Sequence, residues 1–127
     1  MKIEHAALYV EDLEKAKNFF TTMLKGVSNE IYHNPKTGFS SYFIKFDEGA
    51  RLEIMNKPGL LKANFETPRT GYAHLAFSVG NKEEVDRLTK ELQEAGYETM
   101  NGPRMTGDGY YESVIASVEG HPIEITI

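Results

Sequence analysis

The sequence predicts an α+β fold assembled from two copies of one module, each reading as a strand, a helix and then three strands. Three observations predict it. The pattern His-x-Ala-x-x-Val occurs at His5–Val10 and again at His74–Val79, an offset of 69. Each occurrence is followed by apolar residues at helical spacing: Leu13, Ala16, Phe20 and Leu24, then Val85, Leu88, Leu92 and Ala95. The chain has 127 residues, enough for one ordinary domain and too few for two of usual size, so a duplication is expected to share one core. The expected organisation is a single domain over 1–127, with module 1 at 1–57, a linker at about 58–70 and module 2 at 71–127.

In module 1 the patterns place strands at 2–10, 27–33, 39–47 and 51–56 and a helix at 12–25. In module 2 the strands fall at 71–79, 97–101, 110–117 and 122–127, with a helix at 81–95. Asp12 and Asn81 are N-cap residues by type, Glu84 stands where a capping box needs it, and Gly26 and Gly96 are C-terminal stops. Pro35–Gly38 and Pro103–Gly107 read as turns between strands. Glu48-Gly49 with Glu53-Ile54 is echoed by Glu119-Gly120 with Glu124-Ile125, now at an offset of 71. Two extra residues are therefore expected in the second copy, most simply at Asp108-Gly109. Pro58-Gly59 and Pro68 mark the linker.

Composition narrows the function. With 40% hydrophobic and 26% charged residues, seven Tyr and seven Phe, the chain is of globular type. A formal charge of −5 without a lysine or arginine cluster argues against nucleic acid and anionic membranes as partners. The absence of cysteine removes disulfides, thiolate ligands and a thiol nucleophile, leaving nitrogen and oxygen donors for any metal. No stretch approaches the roughly 20 apolar residues of a membrane span or the pattern of a signal peptide, which makes a cytoplasmic location the default expectation.

Strand alternation assigns a face to each polar residue of interest. His74 shares a face with Tyr72, Ala76 and Ser78, opposite Leu75, Phe77 and Val79; Glu124 shares one with Pro122 and Thr126, opposite Ile123, Ile125 and Ile127. In module 1, His5 goes with Ala7 and Tyr9, and Glu53 with Arg51 and Met55, opposite Leu8, Val10, Leu52 and Ile54. All four lie away from the helix-covered face, on the face that would line a cup. A single strand histidine is more often structural than a ligand. Two His and two Glu at equivalent points of two repeats form an N₂O₂ set suited to Zn²⁺, Ni²⁺, Co²⁺, Mn²⁺ or Fe²⁺, with two positions left for water or a chelating substrate.

At these residues the chain resembles the vicinal oxygen chelate superfamily, which includes glyoxalase I, methylmalonyl-CoA epimerase, extradiol dioxygenases, fosfomycin-modifying thiol transferases and bleomycin-binding proteins. The resemblance covers the whole chain and implies two βαβββ modules forming a cupped, incomplete β-barrel. It implies one divalent metal per site, held by His5 in the first strand, Glu53 in the fourth, His74 in the fifth and Glu124 in the eighth. The segments around His74 and Glu124 are similar to those of glyoxalase-like members. A carboxylate at position 53 is similar to the two-His, two-Glu set of bacterial glyoxalase I, whereas dioxygenases and fosfomycin enzymes use two His and one Glu, epimerases commonly have Gln there, and bleomycin-binding members lack the set.

The activity so implied is that of a lyase or isomerase of glyoxalase I type acting on a small α-hydroxycarbonyl or hemithioacetal substrate through an enediolate. Glu124 is the first choice for the base that moves the proton and Glu53 the second. Glutathione-dependent members commonly carry a basic residue where this chain has Tyr9, so another thiol adduct or a plain α-hydroxycarbonyl fits equally. The alternatives are a metal-dependent dioxygenase or thiol transferase on the same scaffold and a drug-sequestering protein of bleomycin-resistance type. The resemblance also implies a homodimer, with each cup made within one chain or shared between two.

Residues of lower weight complete the reading. Gly107-Asp108-Gly109 is a turn with a mobile flap as the alternative; Lys36 and Arg104 are read as solvated loop charges, with contact to an anionic substrate as the alternative. Tyr111 and Ser113 share a strand face and would contact substrate if that face is the inner one. His33 and His121 are placed at solvated loop edges, outside the site.

Overall fold

The computed structural model describes residues 1–127, and the chain divides into two compact units, Met1–Ala63 and Asn64–Ile127. The fold is α+β, with one βαβββ-like module in each unit and a separate mixed sheet in each. No helix is long and apolar enough to cross a membrane.

The first unit runs β1 (His5–Tyr9), α1 (Leu13–Thr22), β2 (Val27–Ser28), β3 (Tyr32–Asn34), β4 (Phe39–Lys45) and β5 (Arg51–Asn56). Its sheet has the order β1-β5-β4-β2, with β3 also paired to β4. β1 lies parallel to β5, and the other pairs are antiparallel. Helix α1 starts where Asp12 accepts a hydrogen bond from the Lys15 amide at 2.9 Å. It buries Leu13, Ala16, Phe19 and Phe20 against the sheet face that carries Tyr42, Ile44, Leu52 and Ile54.

The second unit runs β6 (Leu75–Ser78), α2 (Lys82–Glu94), β7 (Glu98–Met105), β8 (Tyr111–Ala116), a 3-10 turn at Val118–Gly120 and β9 (Pro122–Thr126), with strand order β6-β9-β8-β7. β6 is parallel to β9. Asn81 caps α2 by accepting from the Glu84 amide at 2.9 Å. The helix buries Val85, Leu88, Thr89 and Leu92 over Ser113, Ile115, Ile123 and Ile125. Thr89 keeps its hydroxyl satisfied there through the Val85 carbonyl and the Ser113 hydroxyl, both at 2.6 Å.

Five local expectations need correction, and each has a physical reason. The expected strand 27–33 is two strands, because the Asn29 side chain accepts from the Phe43 amide at 2.7 Å and takes over the ladder where the backbone leaves it. The strand expected at 71–79 begins only at Leu75, one residue later than its counterpart β1: in module 1 the Arg51 amide donates to the Glu4 carbonyl, whereas the corresponding residue of module 2 is Pro122, which has no N–H. β7 extends to Met105 through residues assigned to a turn, because bulges absorb the extra residues between Thr99 and Arg104 against β8. The left-handed residue ending α1 is Lys25, not Gly26; Gly26 is small because a Cβ there would lie 2.4 Å from the Ile44 side chain. Finally, Ser28 pairs with Ile44 and Thr99 with Ile115, an offset of 71, so the two extra residues already precede β7. They lie in the longer end of α2, and not at Asp108-Gly109.

Candidate functional site

The polar sheet face of each unit carries one His–Glu pair. In the first unit β1 and β5 run parallel with Ala7 opposite Glu53, so His5, two residues earlier on the same face, reaches toward that carboxylate. His5 Nε2 is 3.9 Å from Glu53 Oε2. In the second unit Ala76 stands opposite Glu124, and His74 Nε2 is 3.4 Å from Glu124 Oε2. Side-chain exposures are 40% and 15% in the first pair and 41% and 16% in the second, so the repeat reproduces the degree of exposure as well as the residue types. All four residues stand on the faces that alternation assigned. Each unit carries one such pair, and neither unit holds a third His, Asp or Glu side chain in a metal-holding group with it.

The two pairs have different neighbours. Opposite Glu53 stands Phe43, with Ser41 two residues away on that strand and opposite Met55. The Phe43 ring meets His5 edge-on, with centroids 5.4 Å apart. Opposite Glu124 stands Val114, and the residue corresponding to Ser41 is Glu112, opposite Thr126. Burial and then the negative charge of Glu112 push the Glu124 carboxyl above the usual carboxylate range, with His74 acting against them. Arg104 donates to Glu112 at 3.1 Å. A carboxylate at the place of Ser41, with Arg104 as its guanidinium partner, thus belongs to the Glu124 face only.

Sequence reasoning missed Glu112 and misplaced Arg104, which sits on β7 and not on a solvated loop. The face of Tyr111 and Ser113 is the helix-covered one: Ser113 bonds Thr89, and the Tyr111 hydroxyl donates to Asp86 of α2 at 2.8 Å. One available signal was Ile115, whose strand parity puts Ser113 on the apolar face and Glu112 on the other. Residues 107–109 are a closed turn, tied by the Thr106 amide to the Tyr110 carbonyl at 2.7 Å and by the Tyr110 amide to the Thr106 hydroxyl at 2.9 Å. Lys36 lies in a turn, as expected. His33 contacts the Ser40 hydroxyl at 2.7 Å and lies in β3, while His121 packs on the Phe65 ring with centroids 4.8 Å apart. Beside Tyr9, the Lys57 ammonium lies 5.0 Å from the ring centroid.

The electrostatics yield a test on the metal-free chain. A carboxyl whose folded pKa is raised contributes stability below its ordinary pKa, and that contribution is lost as pH rises through the folded value. Glu112→Gln removes the like charge, so the Glu124 carboxyl is expected to titrate lower by carbon-detected NMR and the loss to shrink. An unchanged titration would show that burial alone sets it.

The donor chemistry suits a divalent cation. Each pair offers an imidazole nitrogen and a carboxylate oxygen, and two neighbouring ligands about 2.1 Å from one six-coordinate ion stand about 3.0 Å apart. His74 and Glu124 stand 3.4 Å apart and His5 and Glu53 3.9 Å, so both pairs would draw together on an ion, the first further than the second.

Comparisons with known proteins agree with the fold. The uncharacterized protein YqjT of Bacillus subtilis (strain 168) is 31% identical over 112 residues, covering 86% of this chain and 85% of that protein. A glyoxalase family protein from Bacillus cereus superposes with a TM-score of 0.84 at 18% identity, over 99% of this chain and 93% of that one. One from Enterococcus faecalis gives 0.81 at 25% identity, over 99% and 97%. The family model described as Glyoxalase/Bleomycin resistance protein/Dioxygenase superfamily matches residues 2–125, and the chain belongs to that superfamily.

Proposed function

We propose that this protein is a metal-dependent lyase or isomerase of glyoxalase I type, acting on a small α-hydroxycarbonyl compound, free or as a thiol hemithioacetal. The observation that carries this reading is the doubled His–Glu pair, with equal exposure in the two units and a carboxylate in both. His5, Glu53, His74 and Glu124 would hold the cation, which when bound would polarise adjacent substrate oxygens and make the carbon between them more acidic. Glu124 is the proton acceptor. Its raised affinity for a proton suits it to take one from carbon and return it to the neighbouring carbon. Glu53, faced by Phe43 and near Ser41, has no second carboxylate at the corresponding place and serves as a ligand.

The reading expects about one divalent metal for each four-ligand set, measured by elemental analysis of protein purified without chelator. His5→Ala and His74→Ala should each weaken binding strongly. Equal metal content in wild type and the double variant would sink the metal centre. A protein that keeps no metal and binds a drug tightly would instead be a sequestering protein.

A homodimer is expected, and sedimentation at micromolar concentration checks it. In the proposed assembly the His5–Glu53 pair of one copy meets the His74–Glu124 pair of the other. Mixing a His5→Ala/Glu53→Ala chain with a His74→Ala/Glu124→Ala chain should then restore one intact set per mixed dimer. Restoration of none would place all four ligands of a set within one chain.

A further inference from the structure

We propose that Glu4, itself held by Arg51, is a positioning residue that fixes the tautomer of His5 and leaves Nε2 as the metal-facing nitrogen. The inference rests on the metal reading above and deepens it. Glu4 Oε2 meets His5 Nδ1, and the opposite ring nitrogen is the one that faces Glu53. A carboxylate can only accept, so Nδ1 carries the proton and the neutral ring keeps its lone pair on Nε2. A metal-ligating histidine needs that state, commonly imposed by a carboxylate on the ring's other nitrogen.

Glu4 is held in turn. The Arg51 amide donates to the Glu4 carbonyl at 3.1 Å, and its guanidinium Nε donates to Glu4 Oε1 at 2.8 Å, so one residue grips both ends of the glutamate. The same guanidinium stacks over Phe43 with its carbon 4.3 Å from the ring centroid, and Phe43 meets the His5 ring edge-on. Arg51, Glu4, His5 and Phe43 therefore close a circuit of contacts. The His5, Glu4 and Arg51 side chains are about half exposed, and ion pairs open to solvent stabilise a fold little. Orientation of the imidazole is what the circuit accomplishes.

The second unit has no such circuit. The residues corresponding to Glu4, Arg51 and Phe43 are Ala73, Pro122 and Val114, none of whose side chains can accept from Nδ1 or grip a neighbour that does. The two histidines are thus inequivalent although their His–Glu pairs look alike. His5 is the one held in advance.

The test is nitrogen-15 NMR of the histidine rings at alkaline pH, where imidazole is neutral, combined with zinc titration. In wild type His5 should show a protonated Nδ1 and a lone-pair Nε2. Glu4→Ala should move His5 toward the Nε2–H form, leave His74 unchanged, and weaken zinc binding about tenfold to a hundredfold; Glu4→Asp should recover part of both. A His5 tautomer that ignores Glu4→Ala overturns the proposal, as does unchanged zinc affinity after the tautomer has switched. Wild-type protein that binds no zinc while its His5 tautomer follows Glu4 would sink the metal reading and still support the hold of Glu4 on the ring.

Discussion

Glu124→Gln should retain the fold and much of the metal yet lose about a hundredfold to ten-thousandfold in turnover, the usual range for removing a general base. The amide keeps the size of the side chain and an oxygen donor. It cannot accept a proton from carbon. Glu124 is the carboxylate with the stronger case, since burial and the Glu112 charge both raise its proton affinity, whereas the strand beside Glu53 offers Phe43 and Ser41. Glu53→Gln should be milder. The assay is solvent deuterium exchange at the carbon beside the carbonyl, on whichever α-hydroxycarbonyl or hemithioacetal a substrate screen identifies. Wild-type exchange in Glu124→Gln with loss in Glu53→Gln would reverse the assignment, and wild-type exchange in both would reduce the two carboxylates to ligands.

The halves of the fold could be read from the chain because its repeat carries period-2 and period-3.6 signals in the same order twice. The faces of His5, Glu53, His74 and Glu124 followed from parity alone, and the structure places them there. The boundaries were less legible where a side chain or a missing donor interrupts pairing. Asn29 replaces a backbone acceptor, and Pro122 cannot donate to the residue before His74. Neither effect has a periodicity. Both are properties of a partner strand distant in sequence.

Glu112 was missed for a related reason. Tyr111 and Ser113 are polar groups on one strand face, and polarity alone does not tell which face α2 covers. Ser113 is fully buried and satisfied by Thr89, so a polar residue at an inward position mimicked a site residue. Arg104 was hidden by the Pro-x-x-x-Gly segment around it, which has the chemistry of a turn. Between Asn101, opposite Val114, and Arg104, opposite Glu112, three steps on β7 match two on β8, and the bulge brings the guanidinium to Glu112.

That bulge depends on Gly102. Its φ is +79°, and a Cβ would lie 2.5 Å from the Glu112 carbonyl oxygen and 3.0 Å from the Ser113 Cα, both backbone atoms that can move only with the ladder. Gly102→Ala therefore combines left-handed strain of about 1–3 kcal/mol with overpacking of about 1–3 kcal/mol. The expected loss, about 2–6 kcal/mol, is a large part of the roughly 5–15 kcal/mol that holds an ordinary domain folded. Gly109→Ala is the matched control: its φ is +95°, but a Cβ there meets nothing within 4 Å, so it reports the backbone cost alone. Denaturant unfolding of the two variants should separate them by the packing contribution, with Gly102→Ala much the weaker. If the two lie within about 0.5 kcal/mol of each other, the size of an ordinary surface effect, the close approach of β7 to the Glu112 backbone is not what requires glycine there.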